Sequence, residues 1–444
     1  MASYRSIPVT SAVRLAKPTS NLFRARTKRD ARGLDTSGLT GVLSVDPEAR
    51  TADVAGMCTY QDLVAATLPY GLSPLVVPQL KTITLGGAVS GLGIESASFR
   101  NGLPHESVLE MDILTGAGEL LTASRDQHCD LFRAFPNSYG TLGYSTRLRI
   151  ELEPIAPFVA LRHIRFHSLP ELVAAAERII DTGGHDGTPV DYLDGVVFGP
   201  DESYLCVARR TTTPGPVSDY TGKNIYYQSM QHDAAGPADT KDDRLTMHDY
   251  FWRWDTDWFW CSGAFGVQNP ALRRWWPRRY RRSSVYSKLV AMDRRFGISD
   301  RIEAHHGRPA RERVVQDVEV PIGRCCEFLE WFLDNVPITP IWLCPLRLRD
   351  HDGWPLYPMP AEVSYVNIGF WSSVPAGDGV GITNRAIEAK VSELDGHKSL
   401  YSDSFYTREE FDQLYGGEAY KTVKKSYDPD SRLLDLYAKA VQRR

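Results

Sequence analysis

The sequence offers no run of ~18 uninterrupted apolar residues, the length that a membrane-spanning helix requires. Its opening residues, Met1-Ala2-Ser3-Tyr4-Arg5-Ser6-Ile7-Pro8, lack the apolar core of a secretory signal, and a cytoplasmic location is expected. The seven cysteines (Cys58, Cys129, Cys206, Cys261, Cys325, Cys326 and Cys344) are odd in number and scattered, with no C-x-x-C pair and no matching histidine spacing. That pattern argues against both a disulfide framework and a zinc site. A net charge of −4, with 24% charged and 42% hydrophobic residues, gives no global pull toward nucleic acid. No internal repeat is visible, and 444 residues exceed what one hydrophobic core holds, so two or three domains are expected.

Glycine is what the sequence concentrates. Between Gly86 and Gly93 stand four glycines in eight residues, inside the stretch Pro78 to Asn101. Removing the Cβ atoms lets backbone approach a ligand closely and permits positive φ where the chain turns. The dinucleotide fingerprint needs a strand before such glycines, a helix after them and an acidic residue ~20 positions on. Here a second turn at Asn101-Gly102 and then a strand follow, so that context fails, and no Walker A sequence occurs.

The surrounding chain reads as α+β, built from hairpins rather than βαβ units. Gly41 to Ala55 alternates about a turn at Asp46-Pro47-Glu48-Ala49-Arg50, and a helix capped by Thr59 follows. Strands are predicted at 108–114, 120–122 and 145–152, with a short helix at 130–135 between the last two. Pro154 and Pro157 mark a boundary. Beyond it come an amphipathic helix over 169–182, a hairpin of 191–198 and 203–210, and a polar stretch over 214–243 that reads as loop. Between His248 and Tyr286 lie six of the ten tryptophans (Trp252, Trp254, Trp258, Trp260, Trp275, Trp276) and the arginines Arg273, Arg274, Arg278, Arg279, Arg281 and Arg282. Strands at 314–321, 339–348 and 363–370, a helix at 324–335 and a helix–loop–helix end complete the reading.

Several separated motifs occur in one order: Val77-Pro78-Gln79-Leu80 with Ile83-Thr84-Leu85-Gly86-Gly87, then Gly91-Leu92-Gly93-Ile94-Glu95-Ser96, Asn101-Gly102, Leu114-Thr115-Gly116-Ala117-Gly118, Asp130-Leu131-Phe132 and Tyr139-Gly140-Thr141-Leu142-Gly143. In this order they resemble the FAD domain of the vanillyl-alcohol-oxidase (PCMH-type) flavoproteins. Gly93-Ile94-Glu95-Ser96, His305-His306 followed by Val314-Val315-Gln316-Asp317, Pro340-Ile341-Trp342-Leu343-Cys344-Pro345, and Leu400-Tyr401-Ser402-Asp403 leading to Arg408-Glu409-Glu410-Phe411 resemble the delta-24-sterol reductase branch of that superfamily.

The resemblance implies a two-subdomain FAD-binding domain over 1–155, an α+β cap domain for substrate over 156–395 that includes the Trp/Arg block 248–286, and a C-terminal segment, 396–444, returning to the FAD domain. Carried over residue by residue, it places Thr84, Leu85, Gly86, Gly87, Gly91, Gly93, Ile94, Glu95 and Ser96 along the pyrophosphate and flavin. Gly102, Gly140, Thr141 and Gly143 would complete the cradle. Lys17-Pro18-Thr19-Ser20-Asn21-Leu22-Phe23 resembles a degenerate first phosphate loop, with Ser20 and Asn21 as its binding residues. Neither loop supplies the His or Cys through which many relatives attach flavin, so FAD is expected to be noncovalent.

Glu95, Tyr365, Asn367, His397, Lys398 and Tyr401 are the catalytic candidates. Each has a plainer reading as a packing or hydrogen-bonding residue. His305 and His306 are adjacent and on a strand would face opposite sides, so no metal pair is expected.

The resemblance implies a flavin-dependent reductase of a carbon–carbon double bond in a lipid, with NADPH as electron source. Ala/Arg/Asp/Gly-rich composition points to a GC-rich bacterial genome, a setting that favours a methylene-branched fatty acyl substrate over a sterol. The alternatives are a delta-24-type sterol reductase and an oxidase of an alcohol, polyol or phenol. The Trp/Arg block has three readings: a peripheral contact with the inner face of the cell membrane, a tunnel for an acyl chain, or packing within the cap. No nucleic-acid partner is expected.

Overall fold

The computed structural model describes residues 2–8, 10–17, 23–24, 33–231, 239–296, 301 and 309–443. Near its start, β1 (Leu15–Ala16) and β2 (Leu34–Asp35) form a short parallel pair. β3 (Val42–Asp46) and β4 (Thr51–Ala55) form the expected hairpin, and Asp46 closes its turn by accepting from the backbone N–H groups of Glu48 and Ala49. With β5 (Leu72–Pro74), β6 (Val108–Leu114), β7 (Leu120–Ser124) and β8 (Tyr144–Pro154) they make a six-stranded antiparallel sheet of order β3-β4-β8-β6-β7, in which β5 joins β8. The helix Tyr60–Thr67 begins at Thr59, whose hydroxyl accepts from the Asp62 N–H. Leu63, Val64, Leu85, Val89, Leu131 and Phe132 bring three helices onto Val54, Met111, Leu148 and Ile150 of this sheet.

Beyond Pro157 the chain builds a second sheet. β9 (Phe158–Phe166), β12 (Tyr192–Gly199), β13 (Glu202–Thr211), β14 (Thr240–Thr246), β15 (Arg311–Pro321), β16 (Ile341–Leu346), β17 (Tyr365–Pro375) and β18 (His397–Lys398) lie in the order β14-β9-β13-β12-β16-β17-β15-β18, and every neighbouring pair is antiparallel. A two-residue pair, β10 (Gly184–His185) with β11 (Thr188–Pro189), stands apart.

Strand alternation divides side chains between two cores. Leu193, Val197, Ile341, Leu343, Ile368 and Phe370 face the helices Leu169–Thr182, Ile322–Asn335 and Ile382–Glu393. Tyr192, Val196, Trp342, Cys344, Tyr365 and Trp371 face the first sheet's side. The Leu169–Thr182 helix carries a Ser168 cap and ends at Gly183 with φ +66, the left-handed conformation that glycine adopts without steric cost.

Two elements depart from the sequence reading. The stretch 214–243 is not all loop: it contains the helix Tyr226–Met230 and the beginning of β14, whose polar sequence TKDDRLT hides an edge strand paired to β9. The C-terminal segment begins as a strand of the second sheet, since His397 and Lys398 pair with Glu319 and Val318. Its later helices then return to the first sheet. Ala117 N–H donates to Tyr427 O, Val13 N–H to Arg432 O and Lys424 Nζ to Thr141 O.

Candidate active site

A cavity of about 550 Å³ opens between the two sheets. One wall is the glycine segment, where Thr84, Gly86, Gly87, Gly91, Gly93 and Ile94 all reach the cavity. Thr84 caps the short helix Leu85–Gly91 by accepting from the Gly87 N–H at 3.2 Å. Added side chains do not fit this wall: a Cβ on Gly93 would stand 2.9 Å from Pro78 Cγ, and one on Gly91 would stand 3.1 Å from the Tyr139 ring. Gly140 and Gly143, at φ +75 and +151, let the next turn come up beside it. Arg14, Lys17, Arg24 and Lys439 line the same space. Close backbone together with four cations suits a large polyanion.

The opposite wall is aromatic. Trp258, Phe259, Trp342 and Trp371 line it, with Phe259 4.4 Å from Trp371 and 5.2 Å from Trp342 between ring centroids. Trp258 and Phe259 hold φ values of +47 and +58, a left-handed conformation that costs bulky residues ~1–3 kcal/mol each. Among the described lining residues one acid is present, Asp317 on β15. Burial pushes its carboxyl up to about 6, against the pull of hydrogen bonds from Asn367 and Tyr401. Trp371 Nε1 donates to Tyr401 Oη at 2.8 Å, and Asn367 Nδ2 donates to Asp317 Oδ1 at 3.1 Å.

Of the residues singled out from sequence, Thr84, Gly86, Gly87, Gly91, Gly93, Ile94, Gly140, Gly143 and Tyr401 meet at this cavity. Others lie beside or beneath it. Leu85 turns into the first core, and Thr141 donates to Ser138 O. Gly102 takes φ +68 where a Cβ would collide with the Glu106 carboxylate, so its constraint is local.

Glu95 and Ser96 do not line the cavity either. Glu95 accepts from Ser96 Oγ, from Ala97 N–H at 3.0 Å and from Gln79 Nε2 at 3.3 Å, and lies 3.7 Å from Arg253. Arg253 in turn pairs with Asp194 of β12 at 2.8 Å, and Ser96 Oγ meets Tyr250 Oη at 2.8 Å. Burial drives the Glu95 carboxyl above its ordinary value even against the Arg253 charge.

Asn367 supports Asp317 from the neighbouring strand. Tyr365 is buried at the start of β17, and Lys398 is locked in an ion pair with Glu388 at 2.7 Å. His397 stacks obliquely near Tyr357 at 5.5 Å, and burial lowers it to about 4. Ser20, Asn21, His305 and His306 lie outside the described residues.

The Trp/Arg block separates into three parts. Trp252, Trp254 and Arg273 are buried, with Arg273 bound to Asp257 at 2.6 Å. Trp258 lines the cavity, and Trp275 is 76% exposed. Sequence reasoning passed over Asp317, Arg24 and Lys439 as site residues. For Asp317 a signal was present, an acid at alternate spacing with Glu319 inside an otherwise valine-rich strand.

A glycine-walled, cation-lined cavity beside an aromatic wall fits a flavin dinucleotide, and residues 12–124 match the FAD binding domain family. With this PCMH-type domain, the chain is an FAD-dependent oxidoreductase. It is similar along most of its length to the Delta(24)-sterol reductase of Arabidopsis thaliana, 26% identical over 448 residues that span 93% of this chain and 77% of the relative. It is likewise similar to the Delta(24)-sterol reductase of Rattus norvegicus, 25% identical over 412 residues, with 90% and 76% covered. Cytokinin dehydrogenase 2 of Oryza sativa subsp. japonica is 36% identical over 162 residues, 35% of this chain and 28% of that protein. Among the described residues no helix is long and apolar enough to cross a membrane.

Proposed function

We propose that the protein reduces a carbon–carbon double bond in a lipid, with noncovalent FAD, electrons from NADPH and a methylene-branched fatty acyl chain as substrate. The observation that carries this reading is the position of Asp317, the one acid among the described lining residues, on the aromatic side of a cavity whose other side is glycine and cation. Similarity to sterol reductases supports the double bond as the target.

Bound FAD supplies hydride chemistry. The chain's own residues do the rest. The Thr84–Ile94 wall and Arg14, Lys17, Arg24 and Lys439 hold the dinucleotide, and the rings of Trp258, Phe259, Trp342 and Trp371 exclude water from an apolar substrate. An unactivated alkene accepts hydride poorly unless a proton arrives with it, and a general acid contributes ~10²–10⁴-fold to such a step. Cys261 reaches the cavity, but burial pushes its thiol up to about 12, which favours a thiol over a flavin-attacking thiolate.

A sterol side chain is the second reading and rests on the relatives' names. Anaerobic reduction of the bound flavin by NADPH, followed by reoxidation with methylene-branched acyl lipid but not with a delta-24 sterol, is expected. The opposite preference would move the substrate to sterols, and flavin reduced by an alcohol but not by NADPH would replace the reading with an oxidase.

In the same reading the exposed Leu272, Trp275, Met292 and Phe296, with Arg274 and Arg279 beside them, rest on the anionic inner face of the cell membrane. Co-sedimentation with phosphatidylglycerol vesicles, weakened several-fold by Trp275→Ala, is expected; no sedimentation would leave the protein in the cytoplasm.

A further inference from the structure

We infer that Asp317 is the group that protonates the double bond, that Tyr401 and Asn367 stabilise the carboxylate it leaves, and that Glu319, the second acid on the same strand face, is a positioning residue that replenishes the proton. This rests on the double-bond-reduction reading. It adds a residue to the mechanism and a route behind it.

The alternation of β15 supplies the geometry. Val314, Val318 and Val320 enter the helical core, so Asp317 and Glu319 share the opposite face, which the C-terminal segment covers. Asp317 reaches the cavity while Glu319 is fully buried behind it. Ser399 joins them: its N–H donates to the Asp317 backbone oxygen at 3.0 Å, and its hydroxyl donates to Glu319 Oε1 at 2.9 Å. Because Trp371 Nε1 already donates to the Tyr401 oxygen, the phenolic proton is directed to Asp317. Two donors, Tyr401 and Asn367, therefore bond the carboxyl that gains charge when the proton leaves, the arrangement that stabilises developing charge.

Behind this pair lies a cluster of polar groups. Tyr357 hydrogen-bonds Glu319, Tyr139 bonds the Leu400 backbone and His397 the Pro358 backbone, while Asn367 Oδ1 is buried without a hydrogen-bond partner among the described residues. Buried polar atoms ordinarily have partners, and buried water commonly completes those that the protein leaves unpaired. The titratable groups facing the two acids are Tyr401 and Tyr139 on the cavity side, with Tyr357, His397, Tyr406 and Tyr415 behind. Arg24 sits over the Tyr139 ring at 4.9 Å, and Lys398 is turned to Glu388.

Burial pushes Glu319 up to about 8, with Asp317 adding to the rise, so it holds a proton at neutral pH; passing that proton to the neighbour at about 6 is an uphill transfer that uptake of a solvent proton by Glu319 completes. Asp317 gives its proton to one alkene carbon as the π bond is lost; bound FAD, reduced by NADPH, would supply the hydride for the other, so that alkene, NADPH and a proton become alkane and NADP⁺. Glu319 then reprotonates Asp317, and the net proton comes from solvent.

The test uses FAD-loaded enzyme in rapid mixing. Asp317→Asn should slow reoxidation by the alkene lipid by about 10²–10⁴-fold, with the loss falling on that half-reaction rather than on reduction by NADPH. Glu319→Gln should move the falling limb of the reoxidation–pH profile from near 8 to near 6. Glu319→Asp should restore the limb. Infrared titration of the protein supplies a readout independent of turnover: a protonated-carboxyl band that disappears near pH 8 should be absent in Glu319→Gln, and one near pH 6 absent in Asp317→Asn. An unchanged reoxidation rate in Asp317→Asn, or pH profiles of Glu319→Gln and wild type that coincide, overturns the inference. Failure of any alkene lipid to reoxidise the flavin overturns the double-bond reading instead, while the infrared bands still report whether the acid pair exists.

Discussion

Two buried carboxylate sites flank the cavity, and they are built oppositely. At Glu95 the carboxyl is enclosed by donors, Ser96, Gln79 and the Ala97 N–H, with Arg253 nearby and the Arg253–Asp194 pair beyond. At Asp317 and Glu319 two acids stand near each other, hydrogen-bonded to neutral groups only, Asn367 and Tyr401 on the first and Ser399 and Tyr357 on the second. Burial raises the carboxyl in both places. The first arrangement fastens: it ties the end of the glycine segment to β12 of the second sheet, helped by the Leu193 N–H donating to Ser96 O. The second leaves protons free to move. Here the cation stands with the carboxylate that fastens the two sheets, and the pair without one lies where the chemistry is assigned.

The sharpest way to break this contrast is Arg253→Met. Removing one partner from a buried ion pair costs ~3–5 kcal/mol, so a large drop in denaturant midpoint and poor flavin retention are expected. Melting close to wild type would show that Glu95 and Asp194 need no cation.

Glu319→Gln should act in the other direction. A carboxyl raised from its unfolded value of ~4.3 to about 8 contributes stability that is full at low pH and lost as pH rises through that interval, at a limiting slope of ~1.4 kcal/mol per pH unit. Wild type should therefore lose stability relative to the variant between about pH 5 and 8, as followed by urea unfolding; parallel curves would contradict a buried, late-titrating Glu319.

Gly93→Ala is the smallest of the three. The 2.9 Å approach to Pro78 Cγ forces the wall to shift, and an overpacking cost of ~1–3 kcal/mol corresponds to about thirtyfold weaker FAD at the middle of that range, measured by flavin fluorescence. Unchanged affinity would mean that this wall yields freely.

The glycine wall was legible because its reason is local: missing Cβ atoms and a turn can be read without knowing what lies opposite. Strands whose alternation separates two faces, such as 108–114 and the hairpin after Asp191, were legible for the same reason. β14 was not, because as an edge strand it tolerates a polar sequence that mimics loop.

Glu95 illustrates the limit for sites. An acid among glycines looks directed at the ligand, yet its actual partner, Arg253, is a distant cap residue that no spacing rule connects to it. Asp317 illustrates the converse. On an alternating strand it reads as the solvent side, and only the return of Ser399 and Tyr401 over β15 converts that side into a dry wall. The Trp/Arg block gave one composition signal for three environments, which packing alone separates.

The cavity wall joins Val13 and Leu15 from one part of the chain to Tyr401, Leu434 and Lys439 from another. A ribosome-bound chain that has not yet exposed Lys439 has no finished pocket, whatever the state of its glycine segment. Cofactor capture thus waits for the end of the chain, and a truncated copy that has lost the 399–439 region is expected to purify colourless, however well its first sheet had folded.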